Sequence, residues 1–203
     1  MVEVFRTIKS LSEGSYSEKR SRFLSFAIPV GSAEDVKEYV QQYRKKYYDA
    51  HHVCWAYVLG VERDVFRVND DGEPSSTAGK PILGQINAYG LTNILILVVR
   101  YFGGVELGTG GLIAAYRKAA AEAIVAAETE ECTVDELITI TYKYDDLNKV
   151  MRILKEMQPQ IVLKKIEMTC EMTLRIQKTL SEQLKNRLIK EVRCKIESRQ
   201  IDS

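Results

Sequence analysis

All twelve glycines of this chain fall at or before Gly111, and none follows. Glycine permits backbone angles and close approaches that other residues forbid. The first part of the chain is therefore built around tight turns, while the rest must consist of elements that any residue can form. The texture changes near residue 130, although no Pro/Gly/Ser-rich linker marks the place. With 203 residues the chain suits two small domains, because single cores grow to about 100–150 residues. We place them at residues 1–130 and 134–203.

The second part is legible element by element. Residues 137–142 alternate and are rich in β-formers, the pattern of a strand. Asp145 and Asp146 open a helix whose apolar residues Leu147, Val150, Met151, Leu154 and Met157 share one face, and Pro159 ends it. Strands follow at 161–166 and 168–176, then a helix at 179–190 and a last strand at 192–197. The order β-α-β-β-α-β is the split ferredoxin-like plan.

The first part is less regular. Strands are predicted at 4–9, 22–29, 53–59 and 65–68. A helix spans 32–48, with Ser32 as N-cap, acidic residues in its first turn and basic ones in its last. A short helix is expected at 80–89 and a buried central strand at 93–100. A long alanine-rich helix is expected at 112–127, its small side chains allowing close approach to a sheet. The fold class is α+β.

Charge narrows the functional classes. Net charge is +1 overall; residues up to Glu130 carry 15 basic against 16 acidic side chains, and the remainder 14 against 12. Sequence-blind coating of nucleic acid needs a basic surface that releases phosphate counterions, so only docking through local patches stays open, with no signal specific for DNA. The longest aliphatic run, residues 94–99, is six residues long, against the roughly 20 needed to cross a bilayer, so no membrane partner is expected. The N-terminus lacks the basic start and apolar core of a secretion signal, which points to the cytoplasm. Four scattered cysteines and two histidines offer no zinc spacing, and reduced, packed thiols are expected. No cofactor is implied.

Two loops hold most of the information. The first runs Asn69-Asp70-Asp71-Gly72-Glu73-Pro74-Ser75-Ser76-Thr77-Ala78-Gly79-Lys80-Pro81. It is either a turn-rich connection or a rigid loop presenting Ser75, Thr77 and Lys80, with Asp70, Asp71 and Glu73 as weak candidates for Mg²⁺. The second runs from Arg100, Tyr101 and Phe102 through Gly103, Gly104, Gly108, Gly110 and Gly111, directly before the long helix. Its glycines either permit tight packing or leave backbone N–H groups aimed at an anion, with the helix dipole adding attraction. It is neither a dinucleotide fingerprint nor a P-loop. Lys19, Arg20 and Arg22 form a small basic cluster before a strand. His51 and His52 are adjacent, so on a strand they face opposite ways and cannot both serve one site. His52 and Cys54 share a face, but Cys54 reads as a core thiol.

Together, Lys19-Arg20-Ser21-Arg22-Phe23, the His-x-Cys-x-Ala-Tyr stretch at 52–57, the loop at 71–83 and Val99-Arg100-Tyr101-Phe102-Gly103-Gly104-x-x-Leu107-Gly108-x-Gly110-Gly111-Leu112 resemble the IMPACT family in its bacterial two-domain form. Two departures are visible: Ser76 stands where the family usually has glycine, and Ala114 where a basic residue usually precedes Ala-Tyr. The resemblance implies a first domain of the ribosomal protein S5 domain 2-like fold and a ferredoxin-like second domain, similar to the last domain of elongation factor G. It also implies a role in translation, with RNA or the ribosome as partner. The leading expectation is a non-enzymatic translation-associated protein whose glycine loop, Lys80 and basic cluster form one anion-binding surface. The rival readings are a Mg²⁺-dependent enzyme handling small phosphorylated molecules, with His51 or His52 as acid/base, and a protein-interaction module.

Overall fold

A computed structural model describes residues 4–192 and 194–202, with the side chains of residues 200–202 excepted. Arg193, expected in the last strand, and the chain ends at 1–3 and 203, assigned to the two domains, lie outside the described residues. Phe5–Glu131 makes one compact unit, and the chain from Cys132 onward, with which Val4 groups, makes another. Both are mixtures of helices and antiparallel strands.

The first unit contains β1 (Val4–Ile8), β2 (Ser12–Glu18), β3 (Ser21–Pro29), α1 (Ala33–Lys46), β4 (His52–Leu59), β5 (Val65–Asn69), α2 (Gly79–Ala88), β6 (Ile94–Tyr101) and α3 (Gly108–Ala126). Its sheet has the order β2-β3-β6-β4-β5, and every neighbouring pair is antiparallel. The central strand shows why six apolar residues stand in a row there. Ile94, Ile96 and Val98 pack into the core with residues of α2 and α3, while Leu95, Leu97 and Val99 pack into a second core with α1 residues such as Val36 and Tyr43. A strand covered on both faces loses the polar alternation of a half-exposed one. Just after β1, Lys9 N–H donates to the carbonyl of Glu128, two residues beyond the end of α3 (3.0 Å).

β2, with the sequence Ser-Glu-Gly-Ser-Tyr-Ser-Glu, is absent from the predicted strands because it has no apolar alternation. It forms because α3 lies directly on it. A Cβ on Gly14 would sit 2.5 Å from the Ala123 nitrogen, and Ser12 Oγ donates to the Ala123 carbonyl at 2.7 Å. The small face of α3 at Ala115, Ala119, Ala120 and Ala123 is fully buried. This helix begins at Gly108, four residues before the predicted start, so three of the loop glycines belong to its first turn.

α1 has the predicted cap. Asp35 N–H donates to Ser32 Oγ (3.1 Å), and Ser32 N–H donates to the Asp35 carboxylate (3.0 Å). Ser32→Ala is expected to lower stability by about 1 kcal/mol, read as a shifted urea midpoint at unchanged slope.

The second unit contains β7 (Thr129–Lys143), a single 3-10 turn, α4 (Leu147–Met157), β8 (Gln160–Lys165), β9 (Thr169–Gln177), α5 (Lys178–Val192) and β10 (Lys195–Asp202); β7 begins three residues before the unit boundary. The order β-α-β-β-α-β is the one read from periodicity. β8, β9, β7 and β10 lie side by side in that order, all antiparallel. One core joins Ile138, Ile140, Met172 and Leu174 of the sheet to Val150, Ile153, Leu184 and Leu188 of the helices. Among the described residues no helix is long and apolar enough to cross a membrane.

Candidate functional site

The register of the first sheet sets Phe23 of β3, Arg100 of β6 and His52 of β4 in one row. Directly opposed residues on neighbouring antiparallel strands share a face. This row is the end of the face that packs against α2 and α3, where Phe23, Cys54 and Tyr116 enter the core. Arg100 is only 6% exposed there, and a buried guanidinium requires a counter-charge. Glu73, also buried, supplies it from the first loop: its Oε1 accepts from Arg100 Nη1 at 2.6 Å and from Tyr116 Oη at 2.6 Å. His52 Nε2 lies 3.9 Å from the same oxygen. The Arg100 guanidinium is 5.6 Å from the ring centres of both Phe23 and Phe102. Its Nε is buried without a hydrogen-bond partner.

The first loop is shaped by its acids. The Asp70 carboxylate accepts from the backbone N–H groups of Ser76 (2.8 Å), Ala78 (3.0 Å) and Gly79 (2.8 Å). Asp71 accepts from Val53 N–H (2.6 Å) and pairs with Arg44. The three carboxylates named as Mg²⁺ candidates thus point to separate internal partners, and among the described residues no group of three or more His, Cys, Asp or Glu is placed to hold a metal ion. Thr77 does not present its hydroxyl, which is buried and donates to the Pro74 carbonyl (2.6 Å); Ser75 remains exposed. Ser76 has φ +66°, a backbone region costly to any residue with a Cβ, which is the physical meaning of a glycine preference at that position.

The two histidines do share a site, contrary to the alternation argument. β4 starts at His52, so His51 lies before the pleat and is free of it. Both line one cleft of about 440 Å³ together with Glu73, Pro74, Arg100 and Phe102. Phe102 N–H donates to His51 Nδ1 at 3.4 Å. His52 Nδ1 is 2.8 Å from the Asp71 carbonyl; a carbonyl only accepts, so Nδ1 carries the proton and Nε2 is the acceptor in the neutral ring. Cys54 takes no part. Burial pushes its thiol far above the usual range, and the sulfur donates to the Asp70 carbonyl at 3.0 Å. Burial also pushes the Tyr116 hydroxyl up, keeping it a donor to Glu73.

The opposite wall of the cleft is the start of α3, with Leu107, Gly108, Thr109 and Leu112, and with Glu106 also lining it. This helix has no side-chain cap and no acidic residue in its first turn. Its unpaired N–H groups and dipole favour an anion there.

The basic cluster stands on the loop side of the same region. Lys19 and Arg20 form the tip between β2 and β3, both exposed and at positive φ (45° and 68°). Gly103 packs onto this tip, its N–H donating to Ser21 Oγ at 3.2 Å. Arg22 stacks on Tyr101 at 5.3 Å, and Tyr101 Oη donates to Asp49 (2.9 Å) on the face away from Arg100. Gly104 and Gly108 take positive φ (83° and 68°), whereas Gly110 and Gly111 are helical. Lys80 does not join this surface. It lines a separate hollow with Ser76, Gly84 and Arg117 between α2 and α3. The single surface expected from Arg100, Lys80 and the basic cluster is therefore divided.

Tyr116, Pro74, Glu106, Leu107, Thr109 and Leu112 were not among the expected site residues. Tyr116 carried a signal of its own: it is the one aromatic residue in a helix packed mostly through alanine.

The Impact N-terminal domain profile matches residues 19–124, slightly more than half of the chain and inclusive of every residue of the cleft. The IMPACT family member YvyE of Bacillus subtilis (strain 168) is 34% identical over 166 residues, 82% of this chain and 76% of that protein. The IMPACT family member YigZ of Escherichia coli (strain K12) is 36% identical over 146 residues, 71% of this chain and 72% of that protein. A crystal structure described as that of a hypothetical protein superposes over 100% of both chains, with a TM-score of 0.72 at 27% identity. With the profile and relatives at this identity and coverage, the chain belongs to the IMPACT family.

Proposed function

We propose that this chain is a translation-associated protein of the cytoplasm whose first unit binds RNA, free or in the ribosome, through the cleft at Arg100 and the basic tip beside it. The observation that carries this reading is the buried Arg100, with Nε unpartnered, in a cleft walled by the uncapped start of α3. Such a site suits a phosphate, and Lys19 and Arg20 stand at the adjoining tip, where they can reach further phosphates of the RNA backbone. Phe102 and His51, ring to ring at 6.0 Å, offer faces for an unpaired base. We further assign the first unit to the S5 domain 2-like fold and the second to the ferredoxin-like fold. The β-α-β-β-α-β order and antiparallel pairing support the latter assignment, and the family resemblance supports both.

The test is co-sedimentation with ribosomes and with structured RNA over a salt series. The wild-type chain is expected to bind at low salt and to release as salt rises. Combined Lys19→Ala and Arg20→Ala is expected to reduce the salt slope by about one for each phosphate that these side chains neutralise. Arg100→Lys, which keeps the charge beside Glu73 but removes the fork, should weaken binding on the order of tenfold. Unchanged binding in both variants, or no binding by the wild-type chain, rejects the reading.

A further inference from the structure

The second unit contains a cleft of about 880 Å³ between the end of β7, the start of α4 and the junction of α5 with β10. We propose that this cleft is a second phosphate-binding site for RNA, formed by Lys143, Lys190 and Lys195 around the hydroxyl of Tyr142.

Its charges do not cancel. Six ionisable side chains line it besides the tyrosine, four lysines and two carboxylates. Asp146 is already bound by Lys149 at 2.8 Å. Glu191 is held by Arg152 (2.7 Å) and Arg187 (3.1 Å), neither of which lines the cleft, and their hydrogen bonds hold its carboxyl below the usual range. That leaves Lys143, Lys190 and Lys195, which have no carboxylate partner among the described residues and converge on one hollow. A lysine ammonium is a hydrated point charge that serves as a phosphate binder without demanding planar geometry.

Tyr142 is the independent sign of a ligand. It lines the same cleft, is 4% exposed, and its Oη is buried with no hydrogen-bond partner. Buried hydroxyls are nearly always satisfied, and one that is not costs stability that a phenylalanine would not. Burial pushes the hydroxyl up to about 12, so at neutral pH it is a donor, the polarity an anion requires. Three lysines spread around a volume far larger than one phosphate suit a run of backbone phosphates. The inference rests on the RNA reading for its ligand class, but on different residues in a different unit.

The experiment uses the full chain and a fluorescently labelled structured RNA, with affinity measured over a salt series. Combined Lys143→Ala, Lys190→Ala and Lys195→Ala is expected to flatten the plot of log affinity against log salt by about 2 to 3, near 0.9 for each phosphate no longer neutralised. Tyr142→Phe is expected to weaken binding while leaving the thermal midpoint unchanged or higher, a combination that a merely structural tyrosine would not give. An unchanged slope in the lysine variant, or wild-type affinity in Tyr142→Phe, overturns the second site. If binding is lost only in the variants of the first unit, that reading stands and this one falls. Loss only in the second-unit variants gives the reverse, and a wild-type chain that binds no RNA at low salt overturns both.

Discussion

Replacing Glu73 with alanine is expected to cost about 3–5 kcal/mol of folding stability, the loss seen when one partner of a buried ion pair is removed. Glu73 Oε1 is the acceptor for both Arg100 Nη1 and Tyr116 Oη. Its loss strands a guanidinium and a phenol hydroxyl in the core of the first unit at once. Tyr116 is fully buried in α3 and cannot turn to water, and Arg100, held between Phe23 and Phe102, keeps only its 6% exposure at the cleft. The effect is read as a lowered urea midpoint. Arg100→Leu should also destabilise, by leaving the carboxylate uncompensated. The double variant Glu73→Ala with Arg100→Leu should lose clearly less than the sum of the two, because the unpaired charges then disappear together. Additive losses would mean that the two residues act separately and that the cleft is not organised by this pair.

The same network marks where sequence reasoning reaches its limit. The second unit was legible because its strands alternate and its helices keep an apolar stripe, so local periodicity carries the element order. β6 was legible for the opposite reason, since an unbroken apolar run has few other places to go. β2 was not, because its burial comes from Gly14 meeting α3 more than 100 residues later in the chain. The start of α3 was misplaced because glycines are poor helix formers, and nothing local shows that a glycine-rich run is already helical. In the site, Arg100 lies 27 residues from Glu73, and Tyr116 lies 43 from it. Spacing along the chain made Asp70, Asp71 and Glu73 look like one acidic cluster, whereas each carboxylate turns to a different partner. His51 and His52 were separated by a pleat that begins one residue too late to separate them. What the sequence carried was the location of the polar loops; the interactions that give each side chain its role are long-range.

The glycine-rich run can be divided by two substitutions with opposite expected signs. Gly103→Ala should destabilise by about 1–3 kcal/mol, toward the upper end, as overpacking against atoms that cannot yield. A Cβ there would lie 2.1 Å from the Arg20 carbonyl carbon, 2.4 Å from its oxygen and 2.4 Å from the Ser21 nitrogen. These are backbone atoms of a two-residue turn already at φ 45° and 68°, clamped by the Glu18–Ser21 pairing of β2 with β3. The turn cannot relax without releasing the hairpin. Gly110 lies in the same run, but it is helical and its Cβ would meet nothing within 4 Å. Gly110→Ala should therefore stabilise by about 1 kcal/mol through helix propensity alone. Thermal melts of the two variants separate the roles, and RNA binding sharpens the contrast. Gly103→Ala should weaken binding along with stability, because it pushes Lys19 and Arg20 away from the cleft. Gly110→Ala should bind as the wild type unless a ligand approaches the helix start as closely as the open Cβ position allows. Tighter folding with weaker binding in Gly110→Ala would place the phosphate directly on the first turn of α3. Wild-type stability in Gly103→Ala would show instead that the basic tip is not held against the loop, and the first-unit site would then rest on Arg100 alone.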